Sequence, residues 1–400
     1  MHQGLHSTIW LTIGATRRKG PAVKDNPATQ VVLKGDNNMA VVLDEAYKFG
    51  AGRYIQGESI LEKAGKEILR VGKKAYLIGG PRALAVAKDR LEKGLIEAGL
   101  TYTFEEYQGL NTYEKAKAAA ETVKAEGFDV IVGVGGGKIM DLSKAIAYFA
   151  GCPVVNIPTS IATCAAFTPL SVMYTEAGAS LGSLRFEFEV SAVLVDMDII
   201  VHEPPRYVSA GILDAMAKLI EIKNGHPVIT LEDFPVDLFT SYTLAEYTYR
   251  ELLRLARTAY QDVEAHRMTK AVQDVTFINV AVTGMISGIS KGFGQSAIGH
   301  EIYERIRTYF TQEAKDYLHG EIVAVGLLAQ LYYNQTPEKV PEFKALMQEM
   351  GMPASLHDIH VEPSEENLLK LKNGILESPF IDPQTPENVQ RLTEALRCMI

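Results

Sequence analysis

From Met39 onward the chain alternates between two hydrophobic periods. Lys74-Ala-Tyr-Leu-Ile78 is an apolar run of strand length, and Pro81 to Ala98 then places apolar residues at helical spacing. After a mixed polar-apolar segment, Thr112 to Glu126 is again helical and Val130-Ile-Val-Gly-Val134 is continuous and β-branched. Pro153-Val-Val-Asn-Ile157 and Ala192-Val-Leu-Val-Asp196 extend the strand series. Strands alternating with helices predict βαβ units and a parallel sheet. Beyond Pro205 nearly every segment reads as helix interrupted at Gly and Pro, so the prediction is an α/β domain over 39–197 followed by an all-α domain over 198–400. Residues 1–38 lack steady periodicity and end in Lys34-Gly-Asp-Asn-Asn38; they read as an appended leader, disordered or extraneous to the fold.

Composition narrows the partners. A chain of 400 residues, 47% hydrophobic and 22% charged, can bury a large core in more than one domain. The net charge of -9 comes from interspersed acids and bases with no extended basic patch, which argues against nucleic acid and for a small-molecule substrate. Cys152, Cys164 and Cys398 form no Cys-x-x-Cys pair and no disulfide framework, as expected of a reducing cytoplasm. The apolar stretch Ile9 to Ala15 is too short to span a bilayer, and Arg17, Arg18 and Lys19 follow it rather than precede it; neither export nor a membrane anchor is expected.

Two turns carry candidate cofactor chemistry. Gly133-Val-Gly-Gly-Gly-Lys-Ile-Met-Asp-Leu-Ser-Lys144 follows a strand and opens a helix, where glycines let a backbone approach a pyrophosphate and helix N-terminal amides face its charge. Gly135, Gly136, Gly137, Lys138 and Asp141 are therefore candidate phosphate and cofactor contacts. The pattern is neither Gly-x-Gly-x-x-Gly nor a Walker loop, and a plain tight turn is the alternative. At the end of the first predicted strand stands Gly79-Gly-Pro-Arg82, with no carboxylate to hold an adenosine ribose; Gly80 and Arg82 suit the 2′-phosphate of NADP better than NAD, unless Arg82 is only a solvated helix start.

Most of the histidines have structural readings: His2 and His6 in the leader, His202 and His226 beside prolines, His357 and His360 in a polar connection, His266 on a solvated helix face. His300 and His319 differ, because each lies in an apolar or small-residue helical segment where an unpaired ring is costly. Asp214, with Lys218 at i+4 and Glu221 at i+7, lies on one face of a third apolar helix. Two imidazoles and one carboxylate form a ligand set for a catalytic divalent metal such as zinc or iron. Core histidines with ordinary partners, and an Asp214–Lys218 ion pair, remain the alternatives on these residues alone.

Residues 39 to about 350 resemble the iron-containing alcohol dehydrogenase superfamily on its glycerol dehydrogenase-like branch. The resemblance is carried by Gly50 to Ile60 (GAGRYIQGESI), Gly133 to Ala145 (GVGGGKIMDLSKA), Ala210 to Glu221 (AGILDAMAKLIE) and the two histidine segments. It implies a dinucleotide-binding α/β domain, a helical metal-binding domain, an active site between them and a homo-oligomer. It also implies Asp214, His300 and His319 as metal ligands. Cofactor contacts follow at Gly136, Gly137, Lys138 and the segment Pro158 to Thr163, including Thr159, Ala162 and Thr163, then Thr168, Leu170 and Tyr174.

One departure matters. The glycerol dehydrogenases of this branch carry Ser-Thr-Asp-Ala-Pro where this chain has Ala162-Thr-Cys-Ala-Ala-Phe-Thr-Pro-Leu-Ser171, so Cys164 replaces a substrate-binding Asp. The segment, with an aromatic at Phe167, is similar to hydroxycarboxylate dehydrogenases that reduce 2-oxo acids with NADPH. Cys164 and Phe167 are thus the expected substrate contacts, against the plainer reading of Cys164 as a small buried filler. The expected reaction is hydride transfer between NADP or NAD and a 2-oxo or 2-hydroxy carboxylate. Glycerol dehydrogenase, glycerol-1-phosphate dehydrogenase and a catalytically silent nucleotide-binding homologue are the alternatives.

Overall fold

The computed structural model describes residues 47–400 apart from 233, 292 and 293; the leader lies outside the described residues. The strands are β1 (Tyr54–Gly57), β2 (Lys74–Gly79), β3 (Thr101–Glu106), β4 (Val130–Gly135), β5 (Val154–Pro158), β6 (Leu170–Tyr174), β7 (Ser180–Arg185) and β8 (Ala192–Asp196). Among them run α1 (Ala64–Leu69), α2 (Pro81–Glu97), α3 (Tyr113–Glu126) and α4 (Gly137–Ala150). Every regular element after β8 is helical: α5 (Met197–Ile200), α6 (Pro205–Lys223), α7 (Val236–Glu264), α8 (Lys270–Phe277), α9 (Thr283–Ile289), α10 (Ile298–Tyr309), α11 (His319–Tyr333), α12 (Lys339–Glu349), α13 (Glu365–Leu376) and α14 (Pro386–Leu396), with short 3-10 turns between.

The six-stranded sheet has the order β1-β8-β5-β4-β2-β3, with every pair parallel. Its central strands are buried on both faces, which is why their sequences are apolar runs rather than alternations. Leu77, Val132 and Leu194 face a core made with α1 and α2. Ile78, Ile131 and Val195 face the other core, which takes in α3 and α4 and continues into the helical half. Chain direction reverses between β2 and β4: β2 leads through α2 outward to β3, and the chain returns to β4 on the other side. In an open α/β sheet the carboxyl edge at such a switch point is where ligands bind.

Helix ends follow local chemistry. Thr112 caps α3 by accepting from the Lys115 N–H at 3.1 Å, and Gly127, at φ +71°, ends it. The hairpin of β6 and β7 and the edge strand β1 are elements that the hydrophobic pattern did not predict; β7 is mostly exposed and β1 half-buried, so neither has the apolar run of a central strand. Lys270–Ile289 is long and apolar enough to cross a membrane by composition, but Val272, Val275, Ile278, Val280 and Ile286 are buried in the core, packed chiefly against α7. His266 does not lie on a helix face: it follows the end of α7 at φ +52°, and its ring stacks on His202 at 4.8 Å.

Candidate metal centre and cofactor cleft

Three helices bring Asp214, His300 and His319 together. Asp214 lies in the middle of α6, a helix buried from Val208 to Ile222, while His300 is in the first turn of α10 and His319 is the first residue of α11. The approach of α11 to α6 depends on Gly320, where an added Cβ would stand 2.3 Å from the Ala210 carbonyl oxygen. Asp214 Oδ1 is 3.4 Å from His319 Nε2 and 3.8 Å from His300 Nε2, and the three ligand atoms lie within 4.8 Å of one another.

The donor set fits a divalent ion. Asp214 Oδ1 is buried with no hydrogen-bond partner, an arrangement that is costly unless a cation completes it. Ligands of one tetrahedral ion at bond lengths of about 2.0–2.2 Å stand about 3.3–3.6 Å apart; the Asp214–His319 separation matches this and the Asp214–His300 separation is slightly wider. Burial works to raise the Asp214 pKa, but His319, Lys218 and His300 overcome it and hold the carboxyl at about 2, in its ligating form.

Around these atoms, further side chains set orientation. The Nδ1–H of His300 donates to Glu221 Oε2, which leaves Nε2 free to face Asp214. Glu221 Oε1 accepts from the backbone N–H of Ala297 at 2.9 Å and of His300 at 2.8 Å, so a single fully buried carboxylate seats both the ring and the start of α10. Burial opposes a charged His300, yet Glu221 outweighs it and raises the ring's pKa. On α11, Glu321 accepts from the Leu318 N–H at 2.6 Å and pairs with Arg206 at 2.7 Å, tethering the turn that carries His319. The edge of Tyr303 meets the His319 ring at 4.3 Å.

The predicted cofactor residues gather at the carboxyl ends of β2, β4 and β5. Gly136 caps α4 without a side-chain acceptor, leaving first-turn amides available to an anion, and exposed Lys138 follows. A Cβ on Gly137 would lie 3.1 Å from Thr163 Oγ1 and one on Gly136 3.4 Å from Ser160 Oγ, so the turn and the loop after β5 face each other closely. The Thr159 N–H donates to the Gly135 carbonyl at 2.9 Å. Gly80 caps α2 next to Ile139 of α4, and Arg82 is exposed with no hydrogen bond or ion pair to a described residue. No acid lies on that turn, but Glu106 at the end of β3 stands in register with Gly79 and is exposed. A cavity of about 300 Å³ opens here, lined by Pro81, Leu84, Lys88, Phe104 and Glu106 among others.

The loop 158–170 connects the glycine-rich turn region to the surroundings of Asp214. Its Ile161 carbonyl would be 2.0 Å from a Cβ on Gly211 of α6, and it accepts from Asn279, in a π-helical turn (Ile278–Val282), at 3.3 Å. The Ile161 N–H donates to buried Glu203 at 3.1 Å. Half-buried Cys164, Ala162 and Thr163 lie in this loop; burial pushes the Cys164 thiol pKa up, and Lys218 is the first of the charges that oppose it. Three predicted contacts are engaged inside the protein. Phe167 is buried, filling a slot between Gly50 and Gly284 with its ring edge-on to Tyr54 at 6.1 Å, and anchors the loop. Asp141 is buried, pairs with Lys144 at 3.0 Å and accepts from the Val172 N–H at 3.2 Å, bracing β6 rather than turning to the helix start. Thr168 is buried and its carbonyl accepts from Lys144 at 3.0 Å. Leu170 opens β6, and half-buried Tyr174 closes it beside Tyr303.

The sequence matches the profile of the iron-containing alcohol dehydrogenases over residues 51–197. Over 333 residues it is 30% identical to the glycerol dehydrogenase of Thermotoga maritima, spanning 80% of this chain and 86% of that protein. The chain belongs to the iron-containing alcohol dehydrogenase family. On the same glycerol dehydrogenase-like branch, hydroxycarboxylate dehydrogenase A of Escherichia coli is 31% identical over 290 residues, covering 72% of this chain and 78% of that one. The crystal structure of a probable glycerol dehydrogenase from Sinorhizobium meliloti shares the fold with a TM-score of 0.75 at 24% identity, over 88% of this chain and 98% of that chain.

Two supports of this family member's site escaped the sequence reading. Glu221 was visible at i+7 from Asp214, a signal that it shares the ligand's helix face, but its partner His300 comes from another helix. Lys144 was visible inside the glycine-rich segment; it is fully buried and donates to the carbonyls of Ala165 at 2.6 Å, Thr168 and Leu170. Burial pushes its pKa down, but three carbonyl acceptors are all satisfied only by an ammonium with three N–H groups.

Proposed function

We propose that this chain is a metal-dependent, NAD(P)-linked oxidoreductase exchanging hydride between a nicotinamide and the carbon of a small 2-oxo or 2-hydroxy carboxylate. The observation that carries the reading is the convergence of Asp214, His300 and His319 beside a loop whose Cys164 brings no charge to the site. Once bound, a zinc or iron ion would supply Lewis acidity to the substrate oxygen and the nicotinamide would supply or accept the hydride.

The protein's own residues do the rest. Asp214 and the Nε2 atoms of His300 and His319 hold the ion, with Glu221 fixing the His300 tautomer. The amides at Gly136–Lys138, with Thr159, Ala162 and Thr163 opposite, receive the cofactor diphosphate, while Gly80 and Arg82 take its adenosine end. An unobstructed turn at Gly80 and the unpaired Arg82 favour a 2′-phosphate and hence NADPH; Glu106 on the adjacent strand is the opposing feature. On this reading the boundary at 197/198 separates cofactor-binding from metal-binding halves.

A small-polyol dehydrogenase is the second reading, favoured by the 30% identity to the Thermotoga maritima glycerol dehydrogenase. Cys164 opposes it, because a thiol is a weak acceptor for a polyol hydroxyl. A catalytically silent homologue is opposed by the complete ligand set. Glycerol, 1,2-diols, aldehydes and 2-oxo acids assayed with both nicotinamides decide among these: reduction of 2-oxo acids with NADPH is expected, and turnover of glycerol alone overturns the hydroxycarboxylate reading.

A further inference from the structure

Lys218 stands one turn beyond Asp214 on α6, and its side chain is nearly enclosed, with the residue 7% exposed. Buried ammonium groups are normally paired, because desolvating an isolated charge is expensive. Lys218 makes no hydrogen bond and no ion pair with any described residue. The i,i+4 pair with Asp214 that its position would allow does not form: the Asp214 oxygen nearest the histidines remains without a hydrogen-bond partner. By contrast, the other deeply buried lysine among the described residues, Lys144, is saturated by three carbonyls and a carboxylate.

The surroundings say what the charge faces. Lys218 is buried on α6 one turn from Asp214 and is within electrostatic range of the Cys164 thiol, the Asp214 carboxylate and the His300 ring, so its charge is felt by both the loop and the candidate ligands. A buried lysine left without a partner among the described residues, one turn from the candidate ligands, is a receptor for one anionic group. A carboxylate at the position of Cys164 would bring a negative charge within electrostatic range of Lys218; a thiol does not.

We propose that Lys218 is the specificity-determining cation that receives the carboxylate of a 2-oxo or 2-hydroxy acid and sets its reacting carbon against the metal centre. This deepens the functional reading above and rests on it. The lysine binds and orients and takes no proton in the reaction.

The test uses Lys218→Met, which keeps the volume and deletes the charge, and Lys218→Arg, which keeps the charge. A lysine with no partner in the free protein contributes little to folding, so Lys218→Met is expected to match or exceed the wild-type Tm and to retain the metal. Calorimetry of the metal-loaded protein with oxamate, a non-reducible 2-oxo acid isostere, is expected to show binding weakened about 10- to 100-fold in Lys218→Met, as for loss of one charge-assisted hydrogen bond, and partly restored in Lys218→Arg. The neutral methyl ester of oxamate is expected to bind both proteins alike, and KM for 2-oxo acids should rise with that for neutral aldehydes unchanged. Equal loss for oxamate and its ester, or unchanged oxamate binding in Lys218→Met, overturns the proposal while leaving the dehydrogenase reading intact. If wild type turns over only polyols, the substrate reading fails on its own, and charge-selective oxamate binding lost in Lys218→Met would still establish the anion site.

Discussion

The His300 ring is held through its Nδ1–H by the carboxylate of Glu221, which sits two turns along the same helix as Asp214. On the proposed reading, one helix supplies both a metal ligand and the group that aims a second ligand from α10. Glu221→Ala is expected to weaken zinc or iron binding about 10- to 100-fold, the usual cost of deleting such a support, with Glu221→Gln intermediate because it keeps an acceptor. Chelator competition measures it; unchanged affinity in Glu221→Ala would remove Glu221 from the site. His319→Ala, which deletes a proposed ligand, should abolish turnover while nucleotide binding, followed by fluorescence, is largely spared.

Lys144 joins α4 to the loop 158–170 through three carbonyls. Lys144→Met strands those acceptors and unpairs Asp141 in the core, which should cost about 3–5 kcal/mol of stability. A lower urea midpoint is the expected result, and a midpoint equal to wild type would show the network to be dispensable.

Glu203 is buried, with one oxygen accepting from Ile161 and the other unpartnered. Burial raises its pKa well above the ordinary glutamate value, so the folded protein holds this proton to higher pH than the unfolded chain does. Its contribution to stability is thus full below about pH 4.3 and falls as pH rises toward the folded value. Glu203→Gln keeps the acceptor and removes the titration. The Tm of this variant relative to wild type should climb steadily from pH 5 to pH 8, and a constant difference across that range would refute a raised pKa.

At the proposed cofactor edge, Arg82 has no hydrogen bond or ion pair to a described residue and Gly80 leaves room beside it. Arg82→Ala should raise KM for NADPH about tenfold or more, the worth of one charge-assisted phosphate contact, and leave KM for NADH nearly unchanged. Equal effects on both cofactors would assign the cofactor's adenosine end to other residues, Glu106 among them.

Much of this fold was legible along the chain because its signals are local. The strand run at Val130, the helix from Thr112 and the helical period after Pro205 are each carried by neighbouring residues and need no partner to be read. The same holds for the glycine-rich turn and, through the family resemblance, for the identities of Asp214, His300 and His319. Strands β1 and β7 were not legible, since half-buried and exposed strands lack an apolar run and take their place from their neighbours.

What only the tertiary structure decided is which polar groups find partners across helices. Asp141 read as a candidate cofactor contact in the glycine-rich turn, and packing instead pairs it with Lys144 and turns it to β6. Lys218 was spaced to pair with Asp214, yet the pair does not form, because Asp214 is directed at His300 and His319 from α10 and α11. Sequence spacing determines which side chains share a helix face; long-range packing, through close approaches such as Gly320 on Ala210 and Gly211 on Ile161, determines what that face meets.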